Sequence, residues 1–437
     1  HLSEYFSGKP LEEFYLCKEN WYSENNIQLF IDEPVVEIDK FKKNIISSSG
    51  SIFTYDYLIF ATGSSPFIPP VPGTNLFGVY VYRTIEDLEL ITAHAFKAKK
   101  AMVIGGGLLG LEAAKAMLDL DLETHVIEYS ERLMPRQLDE TGSGFLRSKL
   151  EHLGIQIHLN KNTAAIRGNE TVESVEFTDH TELETDMVVI SAGIRPRDEL
   201  ARQCGLKIGP RGGIMVNNHL QTSDPCIYAI GECALFEGMI YGLVAPGYEM
   251  AEVVASRLTG TEKAFHSFDM STKLKLLGVD VASFGDPFGM NTAHSPIIFE
   301  DRMHDVYKRI NISEDGKKLL GGILVGDARS YNILLQTYLN DLILPQNVES
   351  ILFEGGKGNN NEGTGILALP DSALICSCEN VTKSAICNAV AEQGVTDIEG
   401  IKKCTKAGTG CGGCLPMVKD LINESLKAQG KVVKQII

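Results

Sequence analysis

The sequence predicts an α/β protein: layered strand–helix–strand domains, then a smaller antiparallel region, then a short helical domain that carries cysteines. Three stretches support this. Residues 100–128 read as apolar strand, glycine loop, helix and second strand; residues 263–353 alternate apolar and polar side chains; and residues 374–422 hold two close cysteine pairs around helical sequence. At 437 residues, with 44% hydrophobic and 22% charged side chains, the chain has an ordinary globular composition and room for about three domains. A formal net charge of −17 argues against a nucleic-acid partner, which requires a basic face. No apolar run is long enough to span a membrane and no signal-peptide pattern is present, so a cytoplasmic location is expected. The chain starts at His1, which suggests a fragment of something longer.

The stretch "KKAMVIGGGLLGLEAAKAMLDLDLETHVIEYSERLM" has the layout of a dinucleotide site. Ala101–Ile104 reads as a strand, followed at once by Gly105, Gly107, Leu108 and Gly110 in a Gly-x-Gly-x-x-Gly loop. Leu111–Leu118 reads as the helix, and Thr124–Glu128 as a second strand ending in an acid. The first glycine permits the tight turn, the second lets a pyrophosphate approach the backbone, and the third lets helix pack on strand. Glu128 is placed to take ribose hydroxyls and would repel a 2′-phosphate, which favours NADH over NADPH. A bare glycine-rich turn is the competing reading, and the flanking strand, helix and acid weigh against it.

Further strands end in glycine. "YDYLIFATGSSPFIPPVPG" (55–73) ends its strand at Ala61-Thr62-Gly63, and "SDPCIYAIGECALFEG" (223–238) ends at Gly231-Glu232. "GLVAPGYEMAEVVASRL" (242–258) opens a helix with Ala245 and Pro246 in its first turn. Each alone is ordinary loop chemistry, but their order around the nucleotide loop and "VVISAGIRPRDEL" (188–200) is specific. Over roughly residues 1–335 the chain resembles the FAD- and NAD(P)H-dependent pyridine-nucleotide oxidoreductases, with two Rossmann-like three-layer domains. That resemblance implies that Ala61, Thr62 and Gly63 line FAD and that Gly231 and Glu232 take the ribityl side. It places the helix at Ala245 and Pro246 against the flavin pyrimidine, and Ala192 and Gly193 beside the nicotinamide. Family members begin with a glycine loop for the ADP half of FAD; none precedes residue 55, so an N-terminal segment is expected to be missing. "LEEFYLCKENWYSENNIQLF" reads as a short helix and a strand. No Cys-x-x-x-x-Cys redox pair occurs, and Cys17 reads as structural, so electrons leaving a flavin need another acceptor.

The paired cysteines are the expected acceptor, with a redox disulfide or plain loop chemistry as the competing readings. Cys17, Cys204, Cys226, Cys233 and Cys387 read as scattered, while Cys376-x-Cys378 and Cys411-x-x-Cys414 form two close pairs, with Cys404 seven residues before Cys411. Four thiolates meeting at one point suit zinc or an iron–sulfur cluster, and Cys-x-Cys is tighter than the usual structural-zinc spacing. Thr382 is placed to cap one helix, Pro416 opens another, and Gly410, Gly412 and Gly413 leave amides available to sulfur. The segment resembles the [2Fe–2S] domain of bacterioferritin-associated-ferredoxin type, which implies Cys376, Cys378, Cys411 and Cys414 as ligands; Cys387 and Cys404 read as structural.

Together the parts resemble the N-terminal half of assimilatory NAD(P)H-nitrite reductase large subunits. Matching stretches include "LMPRQLDETG", "AGIRPR", "YAIGECA" and "YGLVAPGYE". The resemblance implies electron transfer from NADH through FAD to a [2Fe–2S] cluster, with no acid–base residue required. It also implies a sirohaem and [4Fe–4S] half beyond this chain, with a possible small subunit as partner. The expected organisation is an FAD domain (1–92 and 208–262), an NAD(P) domain (93–207), an α+β interface or dimerisation domain (263–353), a linker (354–371), the cluster domain (372–425) and a tail (426–437). The glycine-rich "EGGKGNNNEGTG" would make the cluster domain a tethered unit. Two other readings share these residues: a stand-alone reductase serving nitrate reductase or a ferredoxin-like partner, and a non-catalytic NAD-binding iron–sulfur sensor.

Overall fold

The computed structural model describes residues 10–428 except 16, 18, 19, 267–269, 277, 292, 354–368, 377, 378, 380 and 410–413. Two compact units form: residues 1–105, 116–124 and 163–268 in one, and residues 106–115, 125–162 and 269–437 in the other.

In the first unit, Met187–Ile190 lies between Val79–Val81 and Lys100–Ile104, all parallel. Its four residues are buried, the continuous apolar run expected of a strand covered on both faces. Leu58–Phe60 pairs in parallel with Ile227–Ala229, and Ile214–Val216 with Ala234–Phe236. Phe60, Leu206, Ile214 and Ile227 share one core beneath them. The helix Ile85–Ala95 starts with the capping box that Thr84-x-x-Asp87 of "TIEDLELITAH" signals in the sequence, Thr84 and Asp87 each accepting the other's backbone amide.

The strand expected in "IQLF" does not form. Residues 27–30 follow the helix Asn20–Glu24 as irregular backbone, with Ile27, Leu29 and Phe30 exposed. β-forming side chains do not make a strand without a ladder partner. The neighbouring segments Val35–Asp39, Asn44–Ser47 and Ile52–Thr54 pair with one another as an antiparallel meander, and residues 27–30 join neither of its edges.

In the second unit, the antiparallel region is a five-stranded sheet. Its order is Thr272–Leu276, Val279–Gly285, Leu319–Val325, Val306–Ser313, His294–Asp301. The helix Tyr331–Leu339 shares a core with it through Phe284, Ile310, Leu324 and Leu334. Asp139 caps the helix Glu140–His152 through Gly142 N and also accepts Tyr307 Oη (2.7 Å) and Arg309 Nη1 (3.0 Å). Burial, reinforced by the Asp139 carboxylate, pushes the Tyr307 phenol well above its ordinary pKa, so it remains a donor at any physiological pH. The cysteine domain has its own core of Ile375, Val381, Ile386, Val418, Leu421 and Ile422.

His125 and His158, on paired strands, stack with centroids 5.3 Å apart, and Nδ1 and Nε2 lie 3.1 Å from each other. Burial first, then the positive charge His125 can carry, holds His158 below its ordinary pKa. A depressed imidazole is neutral when folded but gains a proton when unfolded, so its contribution to stability is full above about 6.5 and falls away on acidification. The thermal midpoint should drop between about pH 7 and about pH 5, and by less in His158→Gln. A drop of equal size in both proteins would remove His158 as a cause. His94, also depressed by burial, leaves a residual drop in the variant.

Candidate cofactor sites

In the first unit, the parallel strands Leu58–Phe60 and Ile227–Ala229 deliver their ends to one edge. Ala61-Thr62-Gly63 follows the first strand, and Ile230-Gly231-Glu232 follows the second. Gly63 (φ 64°) and Gly231 (φ 69°) are left-handed, and a Cβ on either would meet no atom within 4 Å. Both turns therefore face open space. Thr62 Oγ1 donates to Arg197 O (2.7 Å), and Arg197 N donates to Gly63 O (2.9 Å). Ser64–Pro66 runs antiparallel to Ile194–Pro196, and Phe67 N donates to Gly193 O (2.9 Å). The segments holding Thr62 and Gly63 and those holding Ala192 and Gly193 are thus brought together from distant parts of the sequence.

Glu232 is already partnered. Its Oε2 accepts Ser64 Oγ (2.6 Å) and Arg83 Nη2 (2.8 Å), and Arg83 Nη2 also donates to Ser64 Oγ (3.0 Å). The backbone amide of Arg83 donates to Asp87 Oδ2 (3.0 Å), so the capping box of the next helix fixes the base of the arginine. Sequence reasoning found the cap and missed Arg83 and Ser64, because neither belongs to a local motif. The helix Val244–Leu258 begins beyond, with Pro246 buried in its first turn and no side-chain cap on its N-terminus. Its amides are available to an anionic or hydrogen-bond-accepting group.

The nucleotide loop forms as expected. Gly105 has φ 123°, and a Cβ there would sit 2.2 Å from Ser191 O, so only glycine fits. Gly107 faces open space, and the helix runs Leu108–Asp119, so Leu108 and Gly110 lie in its first turn. The strand is Glu123–Ile127, and Glu128 follows it, 8% exposed. Its Oε2 accepts Gly106 N (2.6 Å) and its Oε1 accepts Ser130 N (2.7 Å). Glu128 therefore has a second role, missed from sequence: it holds the loop's own amides. Each carboxylate oxygen keeps a lone pair for a ribose hydroxyl.

Of the four cysteines singled out, Cys376 and Cys414 are 3% and 8% exposed and belong to the same core, while Cys378 and Cys411 lie outside the described residues. Their described neighbours meet: Thr409 Oγ1 donates to Glu379 Oε1 (3.4 Å). Gly410, Gly412 and Gly413 also lie outside the described residues. Thr382 caps the helix Lys383–Glu392 through Ala385 N (3.3 Å), and Pro416 is the second residue of the helix Leu415–Ala428. Cys387 is half-buried, but Cys404 is exposed, so packing does not account for it.

Sequence and structure comparisons agree with this arrangement. Residues 7–257 match the family model "Pyridine nucleotide-disulphide oxidoreductase", residues 271–340 the "Rubredoxin NAD+ reductase C-terminal domain", and residues 374–424 the "BFD-like [2Fe-2S] binding domain". The chain is 49% identical over its whole length to the nitrite reductase [NAD(P)H] large subunit of Klebsiella oxytoca, spanning 46% of that protein. It is 39% identical to the assimilatory nitrate reductase electron transfer subunit of Bacillus subtilis, with 96% of this chain and 54% of that protein aligned. The chain thus spans about half the length of these curated relatives. Among solved structures, the ferredoxin reductase for the CYP199A2 system of Rhodopseudomonas palustris superposes with a TM-score of 0.69 at 28% identity, covering 76% of this chain and 82% of that one. With strand ends, nucleotide loop and family model in agreement, the chain belongs to the pyridine nucleotide-disulphide oxidoreductase family.

Proposed function

We propose that this chain takes a hydride from NADH and passes the electrons through FAD to a [2Fe–2S] cluster, as the electron-input part of a nitrite reductase. The observation that carries this reading is the pair of open, left-handed glycines, Gly63 and Gly231, at adjoining strand ends, with Gly193 tied to the same corner. Ala61, Thr62, Gly63, Gly231, Glu232, Ala245 and Pro246 would hold FAD. Gly105, Gly107, Leu108, Gly110, Glu128, Ala192 and Gly193 would hold NADH, and Cys376, Cys378, Cys411 and Cys414 the cluster. A bound flavin accepts a hydride pair and releases its electrons singly, which a one-electron cluster requires. The chain's own residues supply position and charge: the uncapped helix at Val244 would offer its amides to the flavin, and Glu128, which holds the glycine loop, would take the ribose hydroxyls.

The domain limits given above, a cytoplasmic location and dimerisation through residues 263–353 belong to the same proposal. So do a sirohaem-bearing half and a small subunit as partners. The Bacillus subtilis relative favours a second reading, a subunit that delivers the same electrons to nitrate reductase.

The absorbance of the purified chain decides the core of the proposal. Flavin bands that NADH bleaches, followed by bleaching of cluster bands, are expected; cluster bands without flavin would leave only an iron–sulfur module. Glu128→Ala should raise KM for NADH about tenfold or more, because hydrogen bonds to a charged group are lost, with little change in the hydride step. A wild-type preference for NADPH would contradict the role given to Glu128.

A further inference from the structure

The polar linker between residues 353 and 369 suggests a cysteine domain that swings on a tether, but the described residues on either side of it are joined. Gln336, on the helix Tyr331–Leu339, is 2% exposed, and its Nε2 donates to Leu374 O (2.6 Å). Leu374 opens the strand Leu374–Cys376, two residues before the first of the paired cysteines. The other end of the amide is held as well: Asn340 Nδ2 donates to Gln336 Oε1 (2.9 Å) and to Gln336 O (2.9 Å). Asn340 is the C-cap residue of the same helix, so one side chain both ends the helix and orients Gln336. Three residues past the helix, Leu342 packs against the cysteine-domain core that contains Cys376 and Cys414.

We propose that Gln336 is a positioning residue that docks the cysteine domain on the sheet-rich domain and fixes the strand bearing Cys376. The inference rests on the cluster reading above for its consequence, fixed-distance electron delivery, and on geometry alone for the docking. A glutamine suits this role because it accepts from Asn340 at one end while donating to a main-chain carbonyl at the other, and a buried carbonyl left without its donor is costly. The helix gives Tyr331 and Leu334 to the core it shares with the sheet, while Gln336, also buried, uses its polar ends on Leu374 and Asn340.

Gln336→Leu keeps volume and removes both polar ends; Gln336→Glu keeps an acceptor for Asn340 and removes the donor. In the full chain, amide hydrogen exchange over residues 369–382 should rise about tenfold in both at neutral pH, with the sheet at 279–325 unchanged. In stopped-flow with NADH, the flavin phase should match wild type and the cluster phase should slow about tenfold. Between about pH 8 and about pH 6, Gln336→Glu should recover, since a protonated carboxyl donates to Leu374 O, while Gln336→Leu should not. Wild-type exchange in Gln336→Leu would overturn the proposal, as would exchange that rises equally across residues 279–325. So would equal pH response in the two variants. If the wild-type chain proves to hold no iron, the proposed function fails while the exchange and pH arms still decide the docking.

Discussion

Cys376→Ala and Cys414→Ala should each empty the chain of iron while leaving NADH-driven flavin reduction intact. Three thiolates cannot close the coordination of a two-iron cluster, so loss should be complete rather than graded. In the proposed route hydride transfer precedes the cluster, so it should be unaffected. Transfer to a one-electron acceptor drawing on the cluster should fall to background. Both sulfurs are buried in the domain core, so each substitution also leaves a small cavity, on the order of 1 kcal/mol. Circular dichroism of the apo-proteins therefore accompanies the iron assay, to show the helices still folded. Cys404→Ala is the control: its side chain is exposed, and under the proposed ligand set it should retain iron. Cys387→Ala removes a half-buried thiol that accepts from Ser425 Oγ (3.7 Å) and should also retain iron. Stoichiometric zinc in protein made anaerobically with iron supplied would defeat the cluster assignment. Iron lost from Cys404→Ala but retained in Cys411→Ala would mean a different fourth ligand.

What was legible in the sequence was whatever is encoded locally. The nucleotide loop could be read because Gly105 has a backbone conformation and a 2.2 Å neighbour that exclude every other residue, and because strand, loop and helix follow without a break. The Thr84 and Thr382 caps could be read because a cap is a three-residue signal. The antiparallel sheet announced itself by alternation. What could not be read was set by distant partners. Residues 27–30 have strand-forming side chains but no ladder neighbour, and pattern does not reveal that. Glu128 is expected at a ribose from its place in the motif, yet only the folded chain shows its oxygens on Gly106 and Ser130 amides. Arg83 and Gln336 reach partners 149 and 38 residues away, across separate elements, so no window of sequence contains the pair.

Arg83 is where that blindness has the largest functional consequence. Arg83→Met should weaken flavin binding about tenfold, measured as the dissociation constant in a titration of the apo-protein with FAD. Glu232 sits beside the open glycine Gly231 and is oriented by one guanidinium nitrogen and one hydroxyl. Removing one partner of a fully buried pair costs about 3–5 kcal/mol. Here the side chains of Arg83 and Glu232 are 30% and 19% exposed, and water recovers part of that loss. About 1–2 kcal/mol remains, centred on a factor of about ten in binding. Ser64→Ala removes the weaker, neutral donor and should cost less. The double variant Arg83→Met/Glu232→Gln leaves no uncompensated carboxylate, so its thermal midpoint should recover toward wild type. Its flavin affinity should not, because the charged acceptor and the guanidinium that orients it are gone. Two results would sink this reading: wild-type FAD affinity in Arg83→Met, or strictly additive effects of the two substitutions on that affinity, since residues that act through one hydrogen-bonded contact must couple.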